Sequence, residues 1–172
     1  MKDFTVITNS IGQLIQNDAE ITQYCIDNLG STLNGIDNPL WDNAYFPDYP
    51  NFIIGKEDES HYFNKAGGTN DTYIVNIMFT GKFQAPQTSE ALTLPTGAEA
   101  IINGVKTYTP SDIMRMLANK VGILMYNNIG CKVPGLMLET YSATADDYYS
   151  EQDGTVSSII RLEFYENSRV SN

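Results

Sequence analysis

Residues 72–83 read TYIVNIMFTGKF, and their alternation decides the fold. Tyr73, Val75, Ile77 and Phe79 share one side, and Phe83 continues that row past Gly81. Ile74, Asn76, Met78, Thr80 and Lys82 share the other. A period of two with β-branched and aromatic residues is the pattern of a β-strand. Ile74 and Met78 make the second side apolar enough for a strand inside a sheet.

Before this strand, Phe4, Ile7, Ile11, Leu14 and Ile15 recur at helical spacing, giving an amphipathic helix over residues 3–16. Asp18 is a good N-cap for a second helix. That helix carries Ile21, Tyr24, Cys25 and Leu29 on one face, and Gly30 is its natural stop. Residues 31–50 are irregular: Asn34-Gly35, Asp37-Asn38-Pro39 and Pro47 are turn chemistry. Trp41, Tyr45, Phe46 and Tyr49 make this stretch a contacting segment rather than a free linker. Residues 50–55, PNFIIG, read as the strand pairing with 72–83. The polar residues 56–71 between them read as a long exposed hairpin loop.

After the central strand, residues 84–108 read as an insertion, an arm or hairpin built on Asn103-Gly104 between β-prone residues. Thr109, Pro110 and Asp112 open a helix by capping, by fixed φ and by charge at the positive end of the dipole. Its apolar stripe is Ile113, Met116, Leu117, Val121, Leu124 and Met125, and Gly130 is its expected end. Methionines at that spacing are core filling. Residues 136–142 form another strand, residues 143–154 an acidic loop and residues 156–165 the last strand, in which Val156, Ser158, Ile160, Leu162 and Phe164 face one way. Residues 167–172 read as a loose tail. The order is α-α-β-β-insert-α-β-β. It predicts an α+β fold, an antiparallel sheet of about four main strands packed on helices with projecting hairpin loops, as one domain over residues 1–172.

The chain has 172 residues and a net charge of −11. Phosphate contacts need clustered Lys and Arg, so this balance speaks against gripping nucleic acid or an anionic membrane. The two cysteines, Cys25 and Cys131, make no close-spaced metal or redox motif. No stretch reads as a signal peptide or a membrane span, and a reducing cytoplasm is the expected site of synthesis. His61, the single histidine, falls in EDESHYFN, a solvated loop on this reading. The carboxylates of Glu57, Asp58 and Glu59, and of Asp146, Asp147, Glu151 and Asp153, sit in polar stretches without the apolar pocket that raises a catalytic pKa. No calcium-loop spacing, zinc ligand set or phosphate loop is present. Neither catalysis nor a metal or cofactor is expected.

The segments YPNFIIG (49–55), TYIVNIMFTGKF (72–83), SDIMRMLANKVGILM (111–125), VPGLMLETYSA (133–143) and TVSSIIRLEFYE (155–166) follow one another in a set order. In order and length this resembles the tail terminator proteins of tailed bacteriophages, also called tail completion or neck terminator proteins. The resemblance covers residues 3–166 apart from the insertion, where the family pattern runs almost directly from strand to helix. It implies a structural virion protein made in the host cytoplasm. Six copies would form a ring that caps the tail tube, binds the tail tube protein and joins head-closure or neck proteins, with DNA passing through unbound. It implies no catalytic residues. On this view Trp41, Tyr45, Phe46, His61, Tyr62, Tyr148 and Tyr149 are candidate protein-contact residues. Asp146, Asp147, Glu151 and Asp153 are candidate acidic residues facing the lumen or tube, since an acidic wall repels phosphate. The alternatives are another neck or tail subunit, such as a head-closure or tube-like protein, and a non-viral ligand-binding domain.

Overall fold

The computed structural model describes residues 2–35, 48–63, 68–83, 110–145 and 154–169. Helix α1 (Phe4–Asn17) starts where the Asp3 carboxylate accepts from the Thr5 N–H at 2.9 Å. Helix α2 (Ala19–Leu29) starts on Asp18, which accepts from the Ile21 N–H at 2.8 Å. It ends at Gly30, whose φ of 81° is left-handed. A Cβ added to Gly30 has nothing within 4 Å, so only the backbone opposes a side chain there. Gly30→Ala is expected to destabilise the fold by about 1 kcal/mol. An unchanged urea midpoint would show that this helix end does not need the left-handed turn.

The chain continues as β1 (Asn34–Gly35), β2 (Asn51–Phe63), β3 (Gly68–Lys82), α3 (Pro110–Lys132), β4 (Leu136–Ala145) and β5 (Thr155–Arg169). These strands form one open sheet in the order β1-β2-β3-β5-β4. β1 runs parallel to β2, and every other pair is antiparallel. The fold is α+β, and β3 is the central strand.

The alternation of β3 sets the layers. Tyr73, Val75, Ile77 and Phe79 are fully buried. Opposite them on β5 stand Phe164, Leu162, Ile160 and Ser158, in the same order and equally buried. The helices cover this face. Ile7, Ile11 and Ile15 of α1, Ile21 and Cys25 of α2, and Ile113, Met114, Leu117, Val121 and Met125 of α3 complete the core. Polar ties fix the layers. The Tyr24 hydroxyl donates to the Ile113 carbonyl at 2.9 Å, joining α2 to α3. The buried Ser158 hydroxyl donates to the Met114 carbonyl at 2.9 Å, joining β5 to α3. At Gly122 a Cβ would lie 2.7 Å from the Tyr141 ring, so the missing side chain is what lets the helix seat against β4.

Several sequence readings need correction. Residues 56–63 and 68–71 are not a loop: they extend β2 and β3 into one long hairpin. This half of the hairpin carries polar residues on both sides, and a bulge between Lys56 and Asp58 breaks the register, so no alternation was available to read. Asn34-Gly35 is not a turn but β1, held by the Asn34 N–H donating to the Pro50 carbonyl at 2.9 Å. Gly130 does not end its helix, which runs to Lys132; a Cβ there would approach the Leu136 carbonyl at 3.3 Å. Residues 143–145 belong to β4 rather than to a loop. Residues 167–169 are not a loose tail but pair with β3. The insertion at 84–108 lies outside the described residues.

Candidate functional site

Pairing β2, β3 and β5 to their ends gathers charged side chains that the sequence scatters. Asp71 lies opposite His61 on one side and Glu166 on the other. Glu59 lies opposite Tyr73. All five belong to the rows that face the helices, and they stand just beyond the start of α1, where apolar cover gives way.

His61 is held between two carboxylates. Its Nδ1 is 2.8 Å from Asp71 Oδ1, and its Nε2 is 3.0 Å from Glu59 Oε1. A carboxylate only accepts, so the ring N–H is the donor wherever the imidazole bonds to one of them. The Tyr73 ring stands edge-on to the imidazole, 6.1 Å between centroids. Lys56 pairs with Glu59 and lies over the Phe4 ring, 4.9 Å from its centroid. Lys2 closes the other side: its ammonium is 2.9 Å from Glu166 Oε1, and its backbone N–H donates to the Tyr73 hydroxyl at 2.7 Å.

Electrostatics follow the contacts. Burial opposes ionisation of Asp71, which is fully buried, but the His61 hydrogen bond is among the contacts that outweigh it, and its carboxyl sits below the ordinary value. The hydrogen bond from Lys56 lowers Glu59. Burial pushes the Tyr73 phenol up to about 12, the Lys2 backbone hydrogen bond opposing and the nearby carboxylates adding. Tyr73 therefore stays neutral at physiological pH and serves as a hydrogen-bonding post. Chemically this is a clamp of paired charges: it ties the segment before α1 to the far half of the hairpin.

The face of the sheet away from the helices is a second candidate surface. Glu57, projecting at the β2 bulge, takes Arg161 Nε at 2.9 Å and the Asn76 side-chain amide at 3.0 Å. Arg161 also reaches Glu163 at 3.2 Å, and its guanidinium is raised chiefly by the hydrogen bond to Glu57. Met137 and Ile159 are exposed on this face. A half-open cleft of about 180 Å³ lies between α2 and α3, lined in part by Glu20, Lys120, Ile123 and Asn127. Lys120 pairs with Glu20 at its rim. Cys25 is buried, which pushes its thiol up to about 12 and leaves it unreactive at neutral pH.

Of the contact residues picked from sequence, His61 lies in the clamp, half-buried in a strand rather than solvated in a loop. Tyr62 pairs with Asn70 in the β2–β3 ladder. Trp41, Tyr45, Phe46, Tyr148 and Tyr149, and the acidic Asp146, Asp147, Glu151 and Asp153, lie outside the described residues. The partners the sequence reading missed are Lys2, Asp71, Tyr73 and Glu166. Asp71 and Glu166 could have been found only from strand register, because they meet across two strands far apart in the chain. Among the described residues, no group of three or more His, Cys, Asp or Glu side chains is placed to hold a metal ion. No described helix is long and apolar enough to cross a membrane. No family model matches the chain, and no curated protein matches it.

Proposed function

We propose that the chain is a tail terminator of a tailed bacteriophage: a structural subunit that self-associates into a six-membered ring on the end of the tail tube and joins it to the head-closure or neck proteins. The observation that carries this reading is the element order, two capped helices, a long antiparallel hairpin, a 23-residue helix and a second antiparallel hairpin, the order on which the sequence resemblance rests. The open sheet supports it as well, because edge main-chain groups that meet no described strand can be offered to a neighbour. The net charge of −11 suits a conduit through which DNA slides without being held. The role is binding; no catalytic step, metal or cofactor enters.

Sedimentation velocity of the full chain, alone and with assembled tail tube, tests the reading. The expected result is a six-subunit species, formed alone or on the tube, with the protein seen at the tube end by electron microscopy. A chain that stays monomeric in both conditions and leaves tubes bare overturns it. Binding to head-side connector proteins but not to tubes would instead identify a head-closure subunit.

A further inference from the structure

At the end of the sheet beside the start of α1, strand register brings two buried carboxylates together. Asp71 on β3 lies opposite Glu166 on β5, and both are buried. Residues directly opposed on paired strands are close neighbours, so like charges there repel, and a drier setting strengthens the repulsion. Glu59 of β2 adds a third carboxylate on the same side: it lies opposite Tyr73, the next residue in the row of Asp71. The Tyr73 phenol feels all three, and each of them helps to hold its proton in place.

The side chains that answer these carboxylates come from different parts of the chain. Lys56 pairs with Glu59, and His61 stands between Glu59 and Asp71; both belong to β2 itself. Glu166 is answered from outside the sheet. Its Oε1 is 2.9 Å from the Lys2 ammonium. Its Oε2 is buried and, among the described residues, has no hydrogen-bond partner. The turn into β4 encloses the group, a Cβ added at Gly135 lying 3.8 Å from Oε1. Lys2 is therefore the counter-charge that lets Glu166 stay buried beside Asp71, and a buried charge stripped of its partner is strongly destabilising.

The backbone of Lys2 is held as well. Its N–H donates to the Tyr73 hydroxyl at 2.7 Å, and that hydroxyl donates to the Lys2 carbonyl at 3.4 Å. The next residue, Asp3, caps α1, and Ile7 and Ile11 anchor that helix in the core. The helix thus fixes where the segment before it crosses onto the sheet.

We infer that this segment is a strap across the ends of β3 and β5, and that the Lys2 ammonium governs whether residues 69–72 and 165–168 stay paired. The middle of the same ladder, from Tyr73 to Phe79, is secured by apolar burial; its end is conditional on a residue outside the sheet. A contact that draws the Lys2 ammonium off Glu166 loosens the sheet end without touching either strand. The inference stands whether or not the chain forms a ring.

Amide exchange followed by NMR on the untagged full chain tests it. In the wild type, amides in 69–72 and 165–168 should exchange through a local opening with a shallow dependence on low urea. Those in 75–79 should exchange through global unfolding, with a steep one. Lys2→Met removes the charge and keeps an unbranched apolar stem. It should raise the opening equilibrium of the sheet end about 10-fold. In a Glu166→Gln background, where the charge conflict is gone, the same substitution should change that opening by less than about 3-fold. Lys2→Arg should behave as wild type. An equal effect of Lys2→Met in both backgrounds overturns the inference, because the lysine then acts through its stem. An opening that Lys2→Met leaves unchanged overturns it too, as does a sheet end that exchanges only through global unfolding.

Discussion

Truncating Phe79 to alanine lowers the free energy of unfolding by about 3–5 kcal/mol, since Phe79 is among the largest fully buried side chains of the protein. Phe79 is fully buried in the middle of the central strand. Its ring lies 6.2 Å from that of Phe52 on β2, tilted at 37°, and Ser158 of β5 stands on its other side. The space is enclosed by strands on two sides and helices above, so little can collapse into the void, and the cavity adds to the lost transfer energy. Urea unfolding monitored by circular dichroism gives the number. Ile159→Ala, on the opposite face at 42% exposure, is the control and should change stability by no more than about 1 kcal/mol. Equal losses at the two positions would mean that the open face is as covered as the helix face.

Asp71→Ala should also destabilise the fold, by about 2–3 kcal/mol. Losing one partner of a hydrogen bond to a charged group typically costs about 1.5–3 kcal/mol; the Asp71 carboxylate makes such a contact with His61 Nδ1 at 2.8 Å, and His61 keeps 28% of its side-chain surface in solvent. The signature is its pH dependence. Asp71 is lowered in the folded protein, so its stabilisation is complete above the unfolded value of about 3.9 and is lost as pH falls through the lower folded value. The gap between wild type and Asp71→Ala should therefore be full at neutral pH and close in acid. Glu59, lowered by the Lys56 hydrogen bond, acts in the same direction, so the wild type itself loses stability in the same acidic window. A gap that stays constant from neutral pH into acid would mean that the Asp71 charge does not matter and that the substitution acts by leaving a hole.

The layers were legible in the sequence and the clamp was not. Tyr73, Val75, Ile77 and Phe79 alternate because one side of β3 lies under helices, and that pattern survives in the order of letters. Asp18 and Gly30 marked helix ends correctly because capping is a local event between neighbouring residues. His61 was misread because its surroundings are made by strand register, not by neighbours in the chain. A polar strand beyond the apolar core has no alternation to display, so it looks like loop. Gly130 was misread for a related reason: its lack of a side chain serves a close approach to Leu136 six positions on in the chain, and the sequence alone does not distinguish that use from a helix stop. The aromatic and acidic residues outside the described segments remain expectations tied to the family resemblance.

The strand order also dictates when the molecule can fold. β3 meets β2 across a short hairpin, but its other neighbour is β5, and Thr80 and Ser157, whose hydroxyls touch at 3.1 Å, are 77 residues apart. A growing chain on the ribosome therefore holds its most apolar strand half-paired while the insertion, α3 and β4 are still being made. Contacts of such separation are slow to form, because a long loop must be closed before they give any return. Through that interval β3 offers one bare side to any other strand nearby. Emergence of β5, not of the central hairpin, is the event that completes the core, and yield in the cell should depend on how crowded that waiting period is.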